Sequence, residues 1–210
     1  REVTKDYDFV NENDNFNRLV GLEYDLISKT NLWNGRFFAY NSFSPLKKED
    51  GFSGGLRITR ETRKHKINFE YSYLGDDYRT DLGILRRIGA SKLAPYYQYT
   101  IFPKNGKVNN ISFGFYYWLW FKLNTSSESI LENNFQIPLT FTFNNQSEIQ
   151  LMYRQANQFF KRDFDPTGIN DDNPLLGGKI YKSNYIQLAY ESNPTKKFYF
   201  ALSNNYGKFF

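Results

Sequence analysis

The chain has 210 residues, 20% of them aromatic, with 27 Lys and Arg set against 22 Asp and Glu and with no cysteine. Lack of cysteine excludes a disulfide framework and a Cys-based zinc site. The net charge of +5 and pI near 9.1 do not indicate nucleic acid, because the basic residues are dispersed among acids rather than gathered on one patch. No run of about 18 apolar residues is present, which excludes a transmembrane helix.

The opening segment, REVTKDYDFVNENDN, lacks the apolar stretch of a signal peptide. The expectation is that a leader has been removed or that the chain is an excerpt of a longer protein. From there on the dominant period is two. Val20, Leu22, Tyr24 and Leu26 alternate with Gly21, Glu23 and Asp25, and Ile67, Phe69, Tyr71 and Tyr73 alternate with Asn68, Glu70 and Ser72. In SFGFYYWLWFKL, Phe113, Phe115, Tyr117, Leu119 and Phe121 share one face, and Ser112, Gly114, Tyr116, Trp118 and Trp120 share the other. Ile137, Leu139, Phe141 and Phe143, then Ile186, Leu188 and Tyr190, repeat the pattern. Almost nothing reads as helix. About ten strands are predicted, near 17–28, 32–42, 53–61, 65–74, 90–102, 109–122, 129–143, 147–159, 181–192 and 197–204.

The connections alternate in kind. KTN, TRK, PKNGK, NNQ and NPTK are tight turns, whereas FSPLKKEDG, GDDYRTDLGILRRIG, NTSSES and FKRDFDPTGINDDNPLLGG are mostly long. Such parity is what an up-and-down meander gives when one rim is trimmed and the other elaborated, as in transmembrane barrels. Several runs also reach the roughly 9–11 residues that a spanning strand needs. The predicted fold is therefore all-β, an antiparallel up-and-down transmembrane β-barrel. About ten strands are visible, with more in the intact protein, so that residues 1–210 form one barrel domain or a portion of one. Phe113, Phe115, Tyr117, Leu119 and Phe121 are the candidates to face lipid. Trp118 and Trp120 face inward or lie near an interface. A soluble or periplasmic β-sandwich or solenoid has the same alternation and is the competing reading.

The segment GDDYRTDLGILRRIGASKLAPYYQY (75–99) resembles the C-terminal barrel of a Bacteroidota outer-membrane family, in which a loop of the type Asp-Phe-x-x-x-Leu-Gly-Phe-x-x-Arg precedes an aromatic strand. NRLVGLEYDL (17–26), NGRFFAYNSFS (34–44) and GGKIYKSNYIQLAYESNPTKKFYFALS (177–203) are similar to its hairpins. The resemblance implies an uncharacterised function, no catalytic residue, and an upstream domain similar to family-nine carbohydrate-binding modules, absent from this chain.

In the loop 75–89, Asp77, Arg79, Asp81, Arg86 and Arg87 are the candidates to fold into the lumen, with Arg86 and Arg87 pairing to Glu23, Asp25 or Glu70; the alternative is a loop packed over the outer rim. In DFDPTGINDD, Asp163, Asp165, Thr167 and Asp171 match positions of a calcium-loop frame with Gly168 at its turn, but Pro174 stands where a bidentate Glu is required, so no metal is assigned. His65, the sole histidine, reads as a solvated turn residue, and no nucleophile and base can be paired around it. Neither enzyme activity nor a cofactor is predicted. The expected role is a channel, scaffold or accessory subunit in the outer membrane of a Gram-negative bacterium. Its partners would be the bilayer and, as further candidates, envelope proteins or glycans. A sugar-binding β-domain linked to glycan uptake, with Trp118, Trp120, Tyr96, Tyr97 and Tyr99 as a stacking surface, is the second reading; an outer-membrane enzyme is the third.

Overall fold

The computed structural model describes residues 16–45, 51–80, 87–122, 130–160, 162–165 and 174–209. They contain ten strands: β1 (Arg18–Ile27), β2 (Trp33–Phe43), β3 (Phe52–Glu61), β4 (His65–Leu74), β5 (Ala90–Ile101), β6 (Val108–Phe121), β7 (Ile130–Phe143), β8 (Glu148–Phe160), β9 (Lys179–Glu191) and β10 (Ala201–Lys208). All pair antiparallel in chain order, forming one sheet β1-β2-β3-β4-β5-β6-β7-β8-β9-β10. The sheet is not closed, because β1 and β10 make no contact with each other and every residue of both is exposed.

The alternation seen in the sequence becomes two chemically distinct faces, because directly opposed residues in an antiparallel pair share a side. One cross-strand row runs Asp25, Arg36, Arg57, Glu70, Ala94, and another runs Tyr96, Tyr116, Gln136, Arg154, Tyr185. On the opposite side a row runs His65, Tyr99, Phe113, Leu139, Leu151, Leu188. From β4 to β9 the polar face is the more enclosed one. Asn134 is 2% exposed and Trp120 8%, and Ser72, Ala94 and Ser183 are buried on the same side. On the apolar face Phe113 stays 43% exposed, Ile137 45% and Ile186 50%. The usual arrangement of a water-soluble sheet is thereby reversed.

Core packing is concentrated at the end of the sheet that carries the long connections. There Ala90, Trp120 and Leu131 are buried together, with Leu74, Trp118 and Phe159 against them. Leu131 lies in a bulge that shifts the β6–β7 register between Trp120 and Phe121.

Two prolines loosen the middle of β6. Pro95 pairs with Phe69 of β4, yet the β5–β6 register steps from Leu93↔Leu119 to Tyr96↔Tyr116; Pro138 pairs with Met152 of β8, yet the β6–β7 register steps from Phe113↔Leu139 to Tyr116↔Gln136. Each proline lacks the N–H that the β6 side of the ladder needs.

The connections 28–32, 62–64, 102–107 and 144–147 are short, but 192–200 is one residue longer than the connection 44–51 on the opposite rim. Strand β10 thus begins at Ala201 rather than near 197. Asn193 Oδ1 accepts from Thr195 N (2.8 Å) and Thr195 Oγ1 (2.7 Å), and Ser192 Oγ accepts from Phe200 N (2.8 Å), which holds 193–200 as a turn.

Candidate functional site

The described parts of the β4–β5 connection reach across the polar face at the rim. Gly89 N donates to Gly75 O (3.2 Å), closing the base of the loop, and Gly89 takes φ +63°, a left-handed conformation natural to glycine. On one side the loop is fastened to β2. Ser42 Oγ accepts from Arg79 N (3.1 Å) and lies within reach of Asp77 O (3.5 Å) and Gly51 O (3.3 Å), and Asn17 Nδ2 donates to Arg79 O (3.3 Å). Ser42 is buried on the polar face. Tyr78 is buried between these anchors, and that burial pushes its phenol above its ordinary pKa.

On the other side the loop is fastened to β7. Arg87 Nε and Nη2 donate to Glu132 Oε2 at 3.1 and 2.8 Å, and Nη2 reaches Phe159 O at 3.4 Å. Ser42 and Glu132 both belong to the polar face, so the described ends of the loop, at Arg79 and Arg87, are anchored to residues of that face. Asp77, Arg79 and Arg87 therefore take part in one loop that spans from β2 to β7; Asp81 and Arg86 lie outside the described residues. Arg87 does not meet Glu23, Asp25 or Glu70: Glu23 and Asp25 lie on the edge strand β1, and Glu70 on β4 pairs with Arg57 and Lys92, whereas Arg87 is held against β7.

Those carboxylates and the cations beside them form a charged row along β1–β5. Arg36 Nη2 donates to Glu23 and its Nε stands 3.9 Å from Asp25. Arg57 donates to Glu70 Oε2 through Nε (3.2 Å) and Nη2 (2.8 Å), while Lys92 Nζ donates to Glu70 Oε1 (2.7 Å). Three cations and three carboxylates balance, and both oxygens of Glu70 are in use. Glu132, Arg36, Arg57, Lys92 and Ser42 are the residues that motif reading missed. The Arg57↔Glu70 pairing carries a sequence signal, since both stand the same number of positions from the Glu61↔Lys66 pair that closes the β3–β4 turn.

The five proposed stacking aromatics do not form one surface. Trp118, Trp120 and Tyr96 lie on the polar face, whereas Tyr97 and Tyr99 lie on the apolar face against Phe115 and Phe113. Odd and even positions on one strand point apart, so the set divides. His65 is likewise not simply solvated: its Nδ1 is 3.1 Å from Tyr97 Oη and its ring is 4.9 Å from that of Tyr99. Phe113, Phe115, Tyr117, Leu119 and Phe121 all occupy the apolar face, opposite Tyr99, Tyr97, Leu93 and Ser91 of β5.

In the β8–β9 connection, Asp163 Oδ1 accepts from Gly177 N (2.7 Å), and Phe164 and Leu175 exchange both backbone hydrogen bonds, extending the hairpin beyond the sheet. Asp163 thus serves the loop's own backbone, and Thr167, Gly168 and Asp171 lie outside the described residues. Among the described residues no group of three or more His, Asp or Glu is arranged to hold a metal ion.

No curated protein and no solved structure matches the chain. A family model described as a domain of unknown function (DUF5916) matches residues 4–210, and the chain belongs to that family.

Proposed function

We propose that this chain is the strand-forming part of an outer-membrane β-barrel of a Gram-negative, Bacteroidota-type envelope. It would act as a channel, scaffold or accessory subunit, with a carbohydrate-binding-like module upstream in the whole protein. The reversed burial carries this reading. A contiguous exposed face of Phe, Tyr, Leu and Ile on strands β4 to β9, backed by an enclosed face of Ser, Asn, Gln, Arg and Glu, suits lipid outside and water or packed polar groups inside. Strand lengths support it, as β2 to β9 run from 10 to 14 residues, at or above what a bilayer crossing requires. Lipid does not tolerate an open sheet edge. The edges of β1 and β10 are accordingly completed in the membrane, by each other or by strands outside this chain.

The anchoring of both described ends of the β4–β5 loop to residues of the polar face, through Ser42 and Glu132, supports a loop that narrows a lumen. A plugged scaffold and a conducting pore differ in a single measurement, the conductance of the protein in a planar bilayer. The membrane assignment itself is tested by expressing the chain behind an outer-membrane leader and extracting membranes with alkaline carbonate. Retention in the pellet, with release by detergent, is expected; recovery in the soluble fraction refutes the assignment.

A further inference from the structure

The charged row on β1–β4 contains one feature that the barrel reading leaves unexplained. Arg36 and Arg57 are direct cross-strand partners on the polar face. Like charges so placed destabilise an antiparallel pair. Each guanidinium is bound by carboxylates on its far side only, Arg36 by Glu23 and Asp25, Arg57 by Glu70, and more than half of each side chain remains exposed (52% and 58%). A guanidinium carries five donors, so each retains N–H groups beyond those its carboxylates take.

Between them opens a cleft of about 270 Å³, lined by Glu23, Arg36, Phe38, Tyr40, Arg57 and Glu70. Two glycines shape its floor. The Phe38 ring lies over Gly55, with Cζ 2.8 Å from where a β-carbon would stand, and the Tyr40 ring lies over Gly21 in the same way. Phe38 and Tyr40 are 5.5 Å apart, centroid to centroid, with their planes tilted by 35°. Both rings occupy space left by a glycine on the neighbouring strand, and both line the cleft.

We infer that this cleft binds a sugar acid of the uronic type, with the ligand carboxylate bridging Arg36 and Arg57, its ring face on Phe38 and Tyr40, and a hydroxyl donating to Glu23, of which Arg36 engages one oxygen. A carboxylate between the two guanidiniums relieves their mutual repulsion and meets them in the fork geometry that arginine favours. The acceptor carboxylate of Glu23 beside the aromatics selects a ligand hydroxyl, which a purely aromatic acid lacks. The site stands on the cleft alone and does not depend on the membrane assignment.

The test is calorimetric titration of the purified, folded chain with three probes: galacturonate, which has ring and charge; galactose, which has the ring alone; and gluconate, which has charge and hydroxyls but no ring. Galacturonate is expected to bind at least about tenfold more tightly than either of the others, and to weaken as salt is raised. Arg57→Gln and Arg36→Gln are expected to abolish that preference, and Arg57→Lys to restore it only in part, since lysine supplies charge without the fork. Arg154→Gln alters a cation elsewhere on the same face and should leave binding unchanged, with circular dichroism confirming the fold of each variant. Equal binding of galactose and galacturonate, loss of binding in Arg154→Gln, or no binding of galacturonate overturns the inference.

Discussion

Arg87, three residues before β5, donates two hydrogen bonds to a single oxygen of Glu132 on β7, and the two side chains are only 16% and 21% exposed. The pair ties the returning end of a long loop to a strand two positions away in the sheet, beside the buried cluster of Ala90, Trp120 and Leu131. Arg87→Ala leaves a largely buried carboxylate without its principal partner, which costs about 1–3 kcal/mol. Chemical denaturation of Arg87→Ala, Glu132→Gln and the double variant should give a coupling energy clearly above zero. If the protein conducts ions, Arg87→Ala should also raise single-channel conductance by freeing the loop from the polar face; an unchanged conductance would place the constriction elsewhere.

The two faces of β6 predict opposite responses to the same charge. Leu119 lies on the apolar face opposite Leu93 and Asn133, and Tyr116 lies on the polar face opposite Tyr96 and Gln136. In a bilayer, Leu119→Lys should cost roughly 2–4 kcal/mol near the midplane and less toward a rim. Tyr116→Lys places its ammonium among polar side chains and should be better tolerated. Folded yield in lipid, compared between the two variants, decides the matter: a greater loss for Tyr116→Lys exchanges inside and outside.

Orientation is read by labelling. The turns at 62–64 and 102–107 share one rim, and the connections 44–51 and 161–178 share the other. With the short turns periplasmic, cysteines at Lys64 and Asn105 should resist an impermeant thiol reagent on intact cells, and cysteines at Pro45 and Arg162 should react. The reverse pattern inverts the topology, and labelling at all four positions without membrane retention favours a soluble domain.

The interruptions opposite Pro95 and Pro138 predict uneven backbone protection. Amides in the Gly114–Trp118 segment of β6 should exchange with deuterium faster than those of Leu151–Tyr153 in β8, whose registers on both sides are continuous. Pro138→Val should slow exchange in β6 if the β6–β7 ladder is then completed.

A close approach sets a further limit on β6. A β-carbon at Gly114 would stand 2.8 Å from Gln98 Cα and closer still to Tyr97 O, both main-chain atoms of β5 that cannot give way as a side chain would. Gly114→Ala should therefore destabilise the fold by about 1–3 kcal/mol, read as a lowered denaturant midpoint.

Strand existence, strand order and the division into two faces were legible in the residues themselves. Side-chain period is a local property of an extended backbone, and short turns force consecutive strands to pair. Even the Arg57–Glu70 contact follows from counting outward from the TRK turn. The start of β10 was not legible. Phe198 and Phe200 continue the alternation of Leu202 in sequence, but Ser192 and Asn193 capture the backbone of 195–200 in a turn, so the local pattern loses to local hydrogen bonding. The loop's position across the polar face depended on tertiary structure entirely, because it rests on contacts between Ser42, Arg79, Arg87 and Glu132, which are distant in sequence and brought together only when six strands have paired. The choice of partner for Arg87 was decided in the same way: Glu23, Asp25, Glu70 and Glu132 are equally acidic in sequence, but strand order puts Glu23 and Asp25 on the far edge strand and Glu70 beside Arg57 and Lys92, and brings Glu132 of β7 to the rim where β5 begins.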